Sequence, residues 1–317
     1  MLKIRYIIFT NLLFVGLLYS SWNGNIKFGH DTNIMKYSDQ ENPVSSNMVQ
    51  LSQTYSGKIS NIFPRKTKYK LSIRNSIYTL SQKSNYSYAI QLKQPLGNYR
   101  YLSFNYNYID NIYLRKYIDL DQEYAILDYI YFSTDCSFDN TKIYLNYEFP
   151  IFNKKSKMSV SYLYETQFYN KYFTEFDLEI NGFKIKYSND TNLLNYVISI
   201  KYIDAQNITL NDIILSTIDT DRGYRENSLN LILKFRESGF SKAINYRSFS
   251  SNILDDNLHF ERFHTDTQYT FWHSFYLLGI KNKMIFKIRE RNTLSNYNWV
   301  QDLKTFDKYN MEHVIYF

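Results

Sequence analysis

Beyond the first twenty residues the chain switches between apolar and polar side chains at almost every step. Tyr86, Tyr88, Ile90 and Leu92 interleave with Asn85, Ser87, Ala89, Gln91 and Lys93. Met158, Val160, Tyr162 and Tyr164 interleave with Ser159, Ser161, Leu163 and Glu165. Leu229, Leu231, Leu233 and Phe235 interleave with Ser228, Asn230, Ile232, Lys234 and Arg236. Similar runs cover 102–108, 143–149 and 194–202. Successive side chains of a strand point to opposite faces, so a period of two predicts strands with one apolar and one polar face. No 3.6-residue period persists over more than two turns, and the abundance of Tyr, Ile and Phe fits strands.

Turn signals divide these runs. Ile62-Phe-Pro-Arg-Lys-Thr-Lys68, Ile151-Phe-Asn-Lys-Lys-Ser-Lys157 and Gln94-Pro-Leu-Gly-Asn98 read as short turns on one side. Ser38–Asn47, Asp204–Gly223, Ser251–Thr265 and Arg291–Leu303 read as longer polar loops on the other. The expected strands are 24–36, 47–60, 68–80, 85–94, 99–109, 141–149, 157–168, 172–187, 193–203, 224–236, 240–250, 266–277, 283–290 and 304–317. Residues 110–140 are either one long loop or a further hairpin, Ile112–Ile118 with Glu123–Ser133, which raises the count from fourteen to sixteen. Asn181-Gly182 reads as a bulge, because apolar parity switches from Ile180 to Phe183.

Alternating strands suit a soluble sandwich or barrel as well as a membrane barrel, whose spanning strands need roughly 9–11 residues. The N-terminus favours the membrane. Met1-Leu-Lys-Ile-Arg5 is basic, Tyr6 to Tyr19 is mostly apolar, and Ser20 and Ser21 are small. This apolar stretch is shorter than the roughly 20 residues of a spanning helix and reads as a secretory signal peptide. The expected organisation is a signal peptide over residues 1–21 and one all-β domain over 22–317. That domain is expected to be a transmembrane up-and-down antiparallel β-barrel of about fourteen strands in the bacterial outer membrane.

Composition narrows the picture. Aromatic residues make up 19% of the chain, which excludes wholesale disorder and suits the aromatic girdles of a membrane barrel. Only 9 Gly and 4 Pro exclude collagen-like structure. One cysteine, Cys136, excludes an internal disulfide framework and a cysteine-based zinc site. The net charge of +7 spreads over 37 basic and 30 acidic residues, too mixed for a dedicated nucleic-acid binder.

Parity places Lys70, Arg74, Lys93, Lys142, Lys201, Lys234, Arg236, Arg247, Lys287 and Arg289 on inward rows. Glu148, Glu165, Asp177, Glu179 and Glu312 are the acids expected there. A basic lumen concentrates anions, so the expected function is a channel or export component for polar or anionic solutes or polymers. A closed-lumen barrel acting through its external loops is the second expectation. The expected partners are outer-membrane lipid and an anionic solute, a polysaccharide or a lipoprotein.

No cofactor, metal site or catalytic set is expected. Barrel lipases place a His and a Ser on one strand face, but His273 and Ser274 are adjacent and so face opposite ways. Asp119-Leu-Asp121 supplies half of an outer-membrane protease pattern, yet no Asp-x-His accompanies it; His264-Thr-Asp266 runs in reverse. Asp219-Thr-Asp221-Arg-Gly223 has two carboxylates before a glycine but lacks the remaining calcium ligands.

Two short stretches carry resemblances. Tyr309, Met311, His313, Ile315 and Phe317 form one strand face ending in an aromatic, which resembles the C-terminal β-signal of Gram-negative outer-membrane proteins. The resemblance implies that Tyr309, Met311, Ile315 and Phe317 are read by the barrel-assembly machinery. Gly29-His-Asp31-Thr-Asn33-Ile34 resembles a G-x-D-x-N stretch on the first strand of export-linked barrels, including the fourteen-stranded surface lipoprotein assembly modifiers.

Overall fold

Half-apolar strands need a different environment for each face, and in hydrocarbon an open sheet edge would leave backbone groups unpaired. The computed structural model describes residues 21–59, 65–118, 133–191, 194–209, 221–253 and 256–317. Within them fourteen strands form one closed antiparallel barrel. The strands are β1 Ser21–Asp31, β2 Ser46–Ile59, β3 Thr67–Tyr78, β4 Asn85–Gly97, β5 Arg100–Ile118, β6 Ser133–Pro150 and β7 Ser156–Tyr169. They continue with β8 Leu178–Asp190, β9 Asn195–Asn207, β10 Tyr224–Phe235, β11 Ser238–Phe249, β12 Phe263–Leu277, β13 Ile280–Leu294 and β14 Phe306–Tyr316. Each pairs with its sequence neighbours, and β1 pairs with β14. Closure removes both sheet edges, so backbone groups are paired without water.

Short connections gather at one end. Asn98-Tyr99 and Leu278-Gly279 are two-residue turns with positive φ at both positions (50° and 60°, 52° and 79°), the twist that suits a hairpin. Both ends of the barrel's chain, Ser21 and Tyr316, lie at this same end. The other end carries the longer connections, including a short helix α1, Asn298–Lys304, whose Val300 is fully buried. Expectations for residues 1–20, including the signal peptide, lie outside the described residues; β1 already includes Ser21.

The structure corrects three expectations. Ile112–Ile118 does not open a new hairpin but continues β5, which pairs with β6 as far as its last residue, Ile118, opposite Ser133. The register slips between Ile109 and Ile112, where Asn111 takes φ 44° and donates its backbone N–H to Asp139 at 2.9 Å. This irregularity re-aims the strand without ending it. The count is therefore fourteen; the other half of the sixteen-strand version falls mostly in 119–132, outside the described residues.

Asn181-Gly182 is not a bulge: β8 keeps regular register with both neighbours there. Apolar residues occupy both faces at this point. Leu178 and Ile180 pack with Leu163, Ile203, Ala205 and Tyr224 inside the wall, while Phe183 and Ile185 face outward. Gly182 is required by closeness, since a Cβ there would stand 2.6 Å from the carbonyl oxygen of Tyr202. The first and eighth strands are also shorter than expected, because 32–35 form a turn and 174–176 a 3-10 turn.

The outer rows are apolar and aromatic. Val49, Leu51, Ile73, Ile77, Phe104 and Ile200 all lie exposed. Tyr88 packs against Tyr106 and Tyr108 on neighbouring β5, with ring centres 5.9 and 5.0 Å apart. A closed barrel with a lipid-facing apolar belt, aromatic girdles and a charged interior is the architecture of bacterial outer-membrane barrels. No described helix is long and apolar enough to cross a membrane.

Candidate functional site: the charged barrel wall

Period-two alternation decides the inner wall once one residue of each strand is placed. Lys27, Gly29 and Asp31 of β1 line a cavity of about 300 Å³ together with Tyr78 of β3, Gln268 of β12, Lys287 and Arg289 of β13, and Lys308, Asn310 and Glu312 of β14. Such residues meet only across a concave interior. The strand registers carry this parity around the barrel.

Two kinds of wall result. In the long-loop half, carboxylates hold the bases. Glu226 takes Lys201 at 3.0 Å and Arg247 at 2.7 Å. Asp266 takes Arg291 through two bonds of 2.7 and 2.8 Å and Arg289 at 3.0 Å. Glu165 takes Lys142 at 2.8 Å, Asp31 takes Lys308 at 2.6 Å, and Glu312 takes Lys287 at 2.6 Å and Lys27 at 3.5 Å. Arg247 also lies 3.7 Å from the centre of the Tyr224 ring.

Towards the short-turn end the carboxylates thin out. Lys70 and Arg74 on β3, Lys184 and Lys186 on β8, Lys234 on β10 and Lys283 on β13 have no ion pair among the described residues. Like charges even sit directly opposite each other: Lys58 faces Lys68, Lys68 faces Lys93, and Lys184 faces Lys201. Directly opposed side chains are about 5 Å apart at Cβ, and like charges there are destabilising. Lys68, Lys70 and Arg74 are exposed on the inner rows, so solvent reaches this part of the wall.

Of the bases expected from the sequence, Lys70, Arg74 and Lys234 stand unpaired on these rows; Lys93 reaches Glu148 at 3.5 Å and lies over the Tyr101 ring at 4.2 Å. Lys142, Lys201, Arg247, Lys287 and Arg289 are the paired ones. Arg236 is a correction. It belongs to the β10–β11 turn with φ 45° and is exposed there, one residue past the end of β10. Glu179 and Asp177 are corrections too. Glu179 has the outward parity of β8 and accepts a bond from Asn181 at 3.2 Å, and Asp177 precedes the strand, accepting the Tyr169 N–H at 2.7 Å.

Sequence reasoning missed Lys27, Lys184, Lys186, Lys283, Arg291, Lys308, Glu226 and Asp266. Their signal was parity: each lies on the inner row of its strand, as the registers show.

The G-x-D-x-N stretch forms the outer lip of β1. Asp31 accepts the Asn33 N–H at 3.0 Å as well as the Lys308 ammonium. Asn33, 1% exposed, donates to the Tyr37 carbonyl at 2.6 Å and accepts the Tyr37 N–H at 2.9 Å. These bonds shape the 32–38 turn.

Tyr309, Met311 and Ile315 lie on the outer row of β14, alternating with inward Lys308, Asn310 and Glu312, and the row runs from beside Thr32 to Phe317 at the opposite lip. Phe317 and Gly24 exchange two backbone bonds of 2.8 and 3.0 Å, and the Phe317 ring rests where a Gly24 side chain would be, 5.6 Å from the Trp22 ring. His313, an outlier in this apolar row, is hydrogen-bonded to Asn282 at 2.9 Å and stacked on Phe275.

The catalytic patterns disperse. His273 bonds Ser238 at 2.9 Å on the outer face, whereas Ser274 has inward parity. Asp119, Asp121 and Asp219 lie outside the described residues. Asp221 closes its own turn by accepting the Gly223 N–H at 2.7 Å. Among the described residues no group of three or more His, Cys, Asp or Glu is placed to hold a metal ion.

No family model and no curated protein matches the chain. Among solved structures it is similar to OccAB4 of Acinetobacter baumannii, at 7% identity and TM-score 0.46, covering 94% of this chain and 98% of that one. It is similar to a bacterial polysaccharide outer membrane secretin at 7% identity and TM-score 0.44, covering 93% and 97%. It is also similar to OprD of Pseudomonas aeruginosa at 8% identity and TM-score 0.39, covering 94% of each chain.

Proposed function

We propose that the chain is an outer-membrane channel that passes polar, anionic solutes. The observation that carries this reading is the set of solvent-reached bases without an ion pair among the described residues on the inner rows near the short-turn end, above all the opposed Lys58 and Lys68 with Lys70 and Arg74 beside them. A structural wall would intersperse acids there, as the long-loop half does. Uncompensated positive charge facing an aqueous lumen raises the local anion concentration and lowers the barrier for anion entry.

Planar-bilayer recording across a salt gradient tests it. The expected result is single-channel steps with a reversal potential of anion preference. Cation preference, or a folded barrel that never conducts, overturns it; the second outcome would favour a closed barrel acting through its external loops. The aromatic row ending at Phe317 supports a further reading, that this seam is what the barrel-assembly machinery recognises. Phe317→Ala is then expected to lower the yield of heat-modifiable protein in membranes while the purified variant still refolds in detergent.

A further inference from the structure

Near the long-loop end of the inner wall, charge accounting fails at one place. Arg262 is 5% exposed, yet no carboxylate lies within ion-pair distance of it among the described residues. The nearby acids are engaged elsewhere. Asp266 is held by Arg289 and Arg291, and Asp256 by His259 at 2.9 Å, Ser251 at 3.0 Å and the Asp221 N–H at 3.0 Å. Arg262 lies face-on to Phe249, 3.8 Å from the ring centre, and its Nε has no partner.

Two further orphans adjoin it. His264, 3% exposed, packs edge-on against the same Phe249 ring at 5.1 Å, and both of its ring nitrogens lack partners. Thr293, 5% exposed, is directly opposite His264 across β12–β13, and its hydroxyl also lacks a partner. A buried guanidinium without a counter-charge and a cluster of unmet donors are costly unless something supplies acceptors. Guanidinium, imidazole and hydroxyl groups together donate to the oxygens of an oxyanion.

We propose that Arg262, His264 and Thr293 form an oxyanion-binding site at the long-loop mouth, taking the carboxylate, sulfate or phosphate group of an entering solute. The proposal rests on the channel reading for the origin of that solute, and deepens it by naming the first group engaged. Arg262 supplies charge and the Nε–H donor. A neutral His264 ring supplies one N–H, and Thr293 supplies its O–H.

The test is calorimetric titration of the purified, detergent-folded protein with sodium sulfate and, separately, sodium acetate, with chloride balancing ionic strength. The expected result is one saturable site per chain. Arg262→Met should weaken it at least tenfold, because a charge-assisted bond is lost. Thr293→Val should weaken it about tenfold, the worth of one hydrogen bond to a charged acceptor, and keeps the test available if the arginine variant does not fold. Lys154→Gln, in the exposed β6–β7 turn, should change nothing. Absence of saturable binding, or binding indifferent to both Arg262→Met and Thr293→Val, overturns the site. Binding by a barrel that does not conduct removes the channel and leaves the site; conduction without saturable binding does the reverse.

Discussion

Asp266 offers the sharpest test of how the paired half of the wall is held. It is 6% exposed and accepts three charge-assisted bonds from two arginines on the neighbouring strand. Asp266→Asn keeps the shape and removes the charge. Breaking a buried ion pair from one side costs about 3–5 kcal/mol, chiefly because the partner charge is left uncompensated. Here the Arg291 and Arg289 side chains are 17% and 23% exposed, so lumenal water partly rehydrates them. The expected loss is therefore the low end, about 3 kcal/mol. Urea unfolding of the protein in lipid vesicles, followed by tryptophan fluorescence and gel mobility, measures it. A double-mutant cycle with Arg291→Gln should return a coupling of at least about 1 kcal/mol. A loss below about 1 kcal/mol with no coupling would show that water, not the carboxylate, solvates these arginines, as at an exposed pair.

Other outcomes follow from particular contacts. Gly182→Ala should destabilise by about 1–3 kcal/mol in the same assay, because the clash is with the Tyr202 carbonyl, which cannot rotate away. Lys70→Glu with Arg74→Glu should move the reversal potential towards cations, since both bases are unpaired and exposed; an unchanged potential would place the selective region elsewhere. His259, in the β11–β12 loop, is pushed down to about 4 by burial, with Arg262 adding to the effect and the Asp256 hydrogen bond opposing it. The unfolded loop binds the proton near pH 6.5 and the folded loop only near 4, so its stability is full above the first value and falls by up to about 1.4 kcal/mol per pH unit between them. Amide protection factors at 250–253 and 256–262, corrected for the intrinsic pH dependence of exchange, should fall as the pH drops across that window, and His259→Gln should abolish the dependence.

The chain's own alternation determined much of this protein. The strand character, the short turns on one end and the aromatic outer rows follow from a period of two interrupted by turn residues, because strand geometry assigns faces without reference to any distant residue; the choice between fourteen and sixteen strands waited on the pairing of Ile112–Ile118 with β6. Parity assigns strand bases to a row for the same reason, and it does not reach Arg236, which lies past the end of β10 where a turn begins.

Tertiary structure decided what parity is blind to. A strand does not announce which acid on its neighbour a lysine will meet; that depends on register, which placed Glu226 between Lys201 and Arg247 and Asp266 beside Arg289 and Arg291. Nor does local pattern distinguish a bulge from a strand with apolar residues on both faces. At Ile180 and Phe183 only the cluster with Leu163, Ile203 and Tyr224 resolves it. The difference between a basic wall that is neutralised and one left open to solvent arises entirely from these pairings. It comes from contacts across strands far apart in sequence, which is why composition supplied a charge of +7 but not its place.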